Sequence, residues 1–126
     1  MAKILLVEDD QQLRALLKLV LEDAGHDVEE ASNGREAVER YERQPAALVV
    51  TDIVMPDDEG LGTIIKLRRS HPDVKIIAMS GGGRAGAQHY LELARKLGAN
   101  HTLAKPFSNS EFLDGINGLL GSSEFS

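Results

Sequence analysis

Four strand-like segments of this chain are each followed by side chains that could act as metal ligands, nucleophiles or hydrogen-bond donors. The acidic triplet Glu8-Asp9-Asp10 follows the first segment, and Asp52, Ser80 and Lys105 come at the ends of the other three. Carboxylates held close together repel one another, and a divalent cation such as Mg²⁺, which prefers hard oxygen ligands, relieves that cost. A carboxylate oxygen can also attack phosphorus. Brought together, these groups would form a cation site with a nucleophile, a hydroxyl and a lysine.

The segments before these residues have the pattern of buried strands. Three of them are apolar at successive positions and rich in β-branched residues, which is typical of strands covered on both faces; they span 4–7, 47–50 and 74–79. Two weaker segments, 26–30 and 101–104, follow glycines. The sequence thus predicts five strands.

A helix is predicted after each strand. The helices are marked by apolar residues at helical spacing within 13–24, by Asn33 with Glu36, by apolar residues within 61–67 and within 90–97, and by a capping box at 108–111. Gly115 and Gly118 should weaken the fifth helix. Tyr41 and Tyr90 are predicted to be packing residues.

Strands that alternate with helices imply a parallel α/β sheet covered on both faces. In such an open sheet, ligands bind at the carboxyl ends of the strands, where the strand order reverses. The acidic triplet, Asp52, Ser80 and Lys105 are therefore predicted to converge on one edge.

Four segments resemble, in the same order, the signature segments of response-regulator receiver domains, the phosphoacceptors of two-component and phosphorelay systems; they are Val7–Asp10, Thr51–Pro56, Met79–Gly81 and Leu103–Phe107. The match runs from Lys3 to about Leu120. It implies a flavodoxin-like (βα)5 fold, doubly wound, with strand order 2-1-3-4-5. Residues 1–120 would be the receiver domain, and residues 121–126 a disordered tail or a cloning remnant.

The resemblance also implies a role for each residue of the acidic site. Asp52 would be the nucleophile and would carry the phosphoryl group. Asp9 and Asp52 would hold Mg²⁺, with Glu8 acting directly or through a water, and the backbone carbonyl of Val54 would be a further ligand. The domain would take part in its own phosphorylation and dephosphorylation without turning over an external substrate.

Lys105 and Ser80 would contact the transferred group. The Lys105 ammonium would neutralise its charge and Ser80 Oγ would donate a hydrogen bond to it. By resemblance the Lys105–Pro106 bond would be cis. Many receivers carry a switching aromatic residue where this chain has Thr102, whose small side chain would displace little volume. Coupling is therefore predicted to run through the glycine-rich loop 81–86, mobile before phosphorylation, and the start of the fourth helix.

Simpler interpretations exist for several of these residues. Acidic residues at a strand end can be a solvated edge, and Asp10 is interpreted as the N-cap of the first helix. Residues 57–59 are interpreted as a solvated loop, and the four histidines as structural or exposed, because they lack metal-ligand spacing. The stretch 81–86 satisfies G-x-G-x-x-G, but no acidic residue stands near the end of the next strand, as a dinucleotide site requires.

Two other classes of protein are weaker alternatives. A haloacid-dehalogenase-like phosphatase also uses an Asp nucleophile with Mg²⁺, but it places a second Asp two residues later, where this chain has Val54. A pseudo-receiver would serve only as a binding scaffold. The presence of Asp52, Ser80 and Lys105 counts against that alternative.

Composition limits the location and the partners. The 126 residues contain no cysteine, which excludes disulfides and is compatible with a reducing cytoplasm. No segment reads as a signal peptide or a membrane span. The net charge of −6 argues against nucleic-acid binding. The expected partners are a histidine kinase or histidine phosphotransfer protein, and a downstream protein or an output domain outside this chain.

Overall fold

The computed structural model describes residues 2–53, 59–81 and 86–121. Within these ranges, strands and helices alternate along the chain. The strands are β1 (Lys3–Val7), β2 (Asp27–Ala31), β3 (Leu48–Asp52), β4 (Ile76–Ser80) and β5 (His101–Ala104). The helices are α1 (Gln11–Asp23), α2 (Gly34–Arg43), α3 (Glu59–Ser70), α4 (Gly86–Leu97) and α5 (Asn109–Leu120).

The five strands form one parallel sheet in the order β2-β1-β3-β4-β5, as predicted. The order reverses between β1 and β3, so the carboxyl ends of these two central strands flank the crevice where such folds bind ligands. Every residue of β3 and β4 is buried, because helices cover both faces.

Two apolar clusters fill the space between the sheet and the helices. One cluster packs α1 and α5 against the sheet through Leu17, Leu21, Phe112 and Ile116. The other holds α2, α3 and α4 on the opposite face. Along each central strand, successive side chains belong alternately to one cluster and the other. Residues two positions apart therefore face the same side of the sheet.

The helix ends follow the predicted caps. Asp10 is the N-cap of α1 and accepts from the backbone nitrogens of Gln12 and Leu13 at 3.0 and 3.1 Å. Asn33 caps α2, and Ser108 with Glu111 forms the complete capping box of α5. The sequence therefore located the helix starts that have a polar cap.

The strand and helix bounds differ from the prediction where polar residues occupy them. β3 extends through Thr51 and Asp52, which pair with Ala78 and Met79 of β4 but do not belong to the apolar run. α4 begins at Gly86, four residues before the apolar pattern. Asp52 and Ser80 are therefore the last residues of their strands and do not follow them.

Three large apolar side chains of the predicted helix patterns are exposed, among them Ile65 of α3 at 38%. Tyr90 is 39% exposed on α4, so its prediction as a packing residue is wrong, whereas Tyr41 is buried. Leu16 belongs to the apolar stripe of α1, yet it is 53% exposed, because the stripe is wider than the surface that the sheet and α5 cover.

None of the helices in the described ranges is long and apolar enough to cross a membrane. The tail predicted at 121–126 lies outside the described residues except for Gly121.

Candidate phosphoacceptor site

Glu8, Asp52 and Lys105 come together at the carboxyl edge of the sheet. Lys105 Nζ donates to Glu8 Oε1 at 2.8 Å and to Asp52 Oδ2 at 3.0 Å. Each of the three lies two positions beyond a residue of the cluster under α1 and α5, namely Leu6, Val50 and Leu103. Strand parity therefore directs their side chains to the same side of the sheet.

Both carboxylates of this group are buried. Glu8 is 1% exposed and Asp52 is 4% exposed, so both carboxylates have lost most of their hydration. Burial raises the pKa of Glu8 to about 7; the hydrogen bond from Lys105 opposes this rise, and the nearby charge of Asp52 adds to it. Lys105 bonds to both buried carboxylates, and because the two negative groups lie close together a bound cation would be favourable here.

Burial acts to lower the pKa of Lys105, but the hydrogen bond to Glu8 and the charge of Asp52 outweigh it. The net result is a raised pKa. The ammonium is therefore charged at neutral pH and is held between the two carboxylates.

Asp9 completes an acidic cluster of the kind that holds a metal ion. One carboxylate oxygen from each of Glu8, Asp9 and Asp52 lies within 4.8 Å of the others. Asp9 is exposed while the other two are buried, so the cluster opens to solvent on the Asp9 side. It is the only such group of His, Cys, Asp and Glu in the part of the chain that the structure describes, and it contains no histidine.

Arg14 anchors the loop that carries these acidic residues. Its Nη1 donates to the backbone oxygen of Glu8 at 2.8 Å, and its Nε donates to Glu30 of β2 at 3.1 Å. The sequence prediction missed this residue. The available signal was a basic residue one turn after the cap Asp10, near the apolar stripe of α1.

Ser80 presents a buried hydroxyl at the end of β4. The residue is fully buried, and its Oγ has no hydrogen-bond partner among the described residues. The backbone oxygen of Ser80 accepts from the Lys105 nitrogen at 2.8 Å, which ties β4 to the lysine segment. The Lys105–Pro106 peptide bond is cis.

Thr102 lies away from these groups, on the α4 side of β5. Arg95 Nη2 donates to its Oγ1 at 3.2 Å, beside a groove of about 400 Å³. Val54 and positions 82–85 of the glycine-rich loop lie outside the described residues, as do Asp57 and Asp58. The predicted roles of these residues therefore stay predictions.

A second groove, of about 380 Å³, adjoins the site on the α1 side. It is largely apolar and lies between α1 and the segment that joins β5 to α5; its lining residues are Leu13, Leu16, Leu17, Lys105, Pro106, Phe107 and Asn109. Lys105 thus borders both the acidic cluster and this groove.

A parallel five-stranded sheet of order 2-1-3-4-5 with acidic residues, a serine and a lysine at its carboxyl edge defines a class of phosphoacceptor switch. The family model described as the response regulator receiver domain matches residues 4–117. The chain therefore belongs to the response regulator receiver family, whose members act as signalling domains of two-component systems.

Individual relatives agree with this assignment. The chemotaxis protein CheY of Thermotoga maritima is 36% identical over 116 residues, which are 91% of this chain and 94% of that protein. The transcriptional regulatory protein CpxR of Escherichia coli K12 is 35% identical over 126 residues, and the chain spans 52% of its length. A response regulator receiver domain structure from Clostridium thermocellum superimposes with a TM-score of 0.88 at 26% identity, covering 99% of this chain and 98% of that one.

Proposed function

We propose that Asp52 accepts the phosphoryl group. The contact that carries this proposal is the hydrogen bond from Lys105 Nζ to Asp52 Oδ2, which supplies a cation at a buried carboxylate on the central strand. An Asp52 oxygen attacks the phosphorus of a phosphohistidine. The new P–O bond forms while the P–N bond breaks, and the electron pair stays on the imidazole nitrogen, which takes up a proton from water.

Lys105 and Ser80 stabilise the transferred group. Phosphoryl transfer depends mainly on in-line positioning and on neutralising charge. Lys105 already lies within hydrogen-bond distance of Asp52 and needs only a small shift to reach a phosphoryl oxygen. A buried hydroxyl without a partner costs about 1–3 kcal/mol, so a phosphoryl oxygen that accepts from Ser80 Oγ would recover that free energy.

Glu8, Asp9 and Asp52 would hold a magnesium ion. Three carboxylates whose oxygens lie close together at a solvent-facing opening match the hard oxygen ligands that Mg²⁺ prefers. When bound, the ion supplies positive charge that offsets the charge of the phosphoryl group. The carbonyl of Val54 is proposed as a further ligand on the strength of the family resemblance alone.

The experiment is chemical labelling. The protein is incubated with MgCl₂ and acetyl phosphate, trapped with borohydride and mapped by peptide mass spectrometry. We expect one label, at Asp52, and none in Asp52→Asn. Asp27→Asn, an exposed carboxylate at the opposite end of the sheet, should label like wild type. A label at another residue of the unmutated protein would refute the assignment.

The phosphodonor is proposed to be a histidine kinase or a histidine phosphotransfer protein that docks a helix in the groove beside Lys105. The groove is mostly apolar, and a helix seated there would bring its histidine to the edge where Asp52 lies. Leu16 is the half-exposed residue on which such a helix would pack. The phosphorylated domain would in turn signal to a downstream protein or to an output domain outside this chain.

The docking proposal is tested with two donors. Leu16→Ala should slow transfer from a phosphorylated histidine phosphotransfer domain about tenfold and leave the acetyl phosphate rate unchanged. Leu19→Ala is the matched control, because Leu19 is 64% exposed on the same helix and outside the groove. Equal rates for the two variants with the protein donor would exclude the groove as the docking site.

A further inference from the structure

The start of α3 lies directly against the backbone that follows Asp52. A Cβ atom built on Gly60 would overlap the Cα of Ile53 and would lie 2.7 Å from its carbonyl carbon and oxygen. Real Cβ atoms essentially never come closer than 3.0 Å to such neighbours. Because the obstacle is backbone, no side-chain rotation can relieve it. Position 60 therefore has room for a glycine but not for a residue with a Cβ atom.

The backbone of Ile53 is also held by the sheet. The Ile53 nitrogen donates to the Met79 oxygen at 2.8 Å, and Ile53 is only 3% exposed. The backbone of Ile53 is therefore bonded to β4 through its nitrogen and closely approached by Gly60 at its Cα and carbonyl group. α3 cannot move away easily, because Ile64 and Leu67 are fully buried in the core beneath it.

We infer that Gly60 is a positioning residue for Asp52, which sets the place of the carboxylate by allowing α3 to close against Ile53. This inference rests on the proposed role of Asp52 as phosphoacceptor. A methyl group at position 60 must displace Ile53, and the displacement passes through a single peptide to Asp52, whose Oδ2 lies 3.0 Å from Lys105. A misplacement of about 1 Å in a reacting group can slow a reaction about 100-fold.

The test compares Gly60 with Gly62, both in α3, and uses a stabilised protein as the background. Gly62 of α3 and Gly118 of α5 have open space where a Cβ would lie, so Gly62→Ala and Gly118→Ala together should strengthen these helices and form that background. Gly60→Ala is then added to that background. We expect the rate of phosphorylation by acetyl phosphate to fall at least tenfold relative to the background, with Mg²⁺ affinity reduced.

A second readout does not depend on phosphorylation. The amide chemical shifts of Asp52 and Lys105 are measured in EDTA. They should change when Gly60→Ala is added to the stabilised background, and they should remain unchanged when Gly62→Ala is added to wild type. Leu21→Ala controls for stability, because it removes a buried side chain of α1 from the cluster on the opposite face of the sheet, at a cost of about 2–5 kcal/mol. Its folded fraction should phosphorylate at the background rate.

Each outcome has a defined meaning. If the unmutated protein takes no label at Asp52, the proposed function itself fails. If it labels normally and Gly60→Ala matches the background, or slows only as much as Leu21→Ala, the positioning role is overturned. Failure of Gly60→Ala to fold in the stabilised background would assign the contact to folding and would also overturn the inference.

Discussion

At the residue scale, the site combines a buried carboxylate that resists ionisation with a lysine that is shared. Glu8 accepts from Lys105 Nζ and from the Asp10 nitrogen, yet burial still raises its pKa to about 7. Its neighbour Asp52 depends on the same lysine. Stability alone does not explain why two carboxylates are buried beside each other, because the desolvation of each is costly. The arrangement is better suited to accepting a cation and a phosphoryl group.

The raised pKa of Glu8 predicts a pH dependence of stability in the metal-free protein. The folded chain binds the Glu8 proton more tightly than the unfolded chain, whose carboxyl titrates near 4.5. The stabilising effect of that proton is complete below pH 4.5 and is lost as pH rises to about 7. The free energy of unfolding should therefore fall by up to about 3 kcal/mol across this window.

The measurement is urea unfolding in EDTA at pH 5, 6, 7 and 8. Glu8→Gln should lack this component, so the difference between wild type and Glu8→Gln should change with pH. Glu22→Gln, an exposed helical carboxylate, should run parallel to wild type. Parallel curves for Glu8→Gln would show that Glu8 is already ionised at pH 5.

At the element scale, close packing explains a glycine that local propensity disfavours. Gly115 lies inside α5, where the sequence predicted only a weakened helix. A Cβ at this position would lie 2.8 Å from Cδ2 and 2.9 Å from Nε2 of His101 at the start of β5. The glycine thus lets α5 approach the edge strand that precedes Lys105. Gly118, one turn further on, has open space instead.

This difference predicts unequal effects of two similar substitutions on stability. Gly118→Ala should raise the free energy of unfolding by up to about 1 kcal/mol through helix propensity alone. Gly115→Ala should gain less or lose stability, because the methyl group meets the His101 ring. In a His101→Ala background, Gly115→Ala should regain the stabilisation seen for Gly118→Ala. Thermal unfolding of wild type, Gly115→Ala, His101→Ala and the double variant completes a double-mutant cycle. A coupling free energy of zero between the two substitutions would contradict the packing argument.

At the scale of the whole molecule, the sequence predicted what short-range pattern determines. Continuous apolar runs mark the buried strands, and polar caps mark the starts of α1, α2 and α5. These patterns predicted a parallel α/β sheet and the convergence of Asp52 with Lys105 on one edge, whereas the strand order came from the resemblance to receiver domains. Contacts between distant segments could not. The bond from Arg14 to the Glu8 backbone and the approach of Gly60 to Ile53 depend on how helices seat on the sheet, and neither leaves a periodic signal.

The exposed residues were mispredicted for a related reason. An apolar stripe shows which side of a helix faces the protein, but not how wide a surface the neighbouring elements cover. Leu16 lies at the margin of the α1 stripe and Tyr90 near the start of α4, and both remain exposed. Burial at a stripe's margin is therefore a tertiary property.

The acidic site should couple Mg²⁺ to the stability of the entire domain. Glu8 follows β1 and Asp52 ends β3, the two strands at the centre of the sheet, so the ligand cluster cannot persist once the sheet unfolds.

An ion that binds only the folded chain raises the free energy of unfolding by about 2.7 kcal/mol at 100 times its dissociation constant. Urea unfolding at constant ionic strength should show a rise of about 1.8 kcal/mol between 0 and about 20 times the dissociation constant, and a further rise with the logarithm of concentration. Asp9→Ala should remove most of it, since it takes away the exposed ligand without altering the core. Asp23→Ala, an exposed carboxylate at the end of α1, should keep it. An equal gain in both variants would mean that Mg²⁺ acts through the general negative charge of −6 and does not depend on the cluster at the end of the central strands.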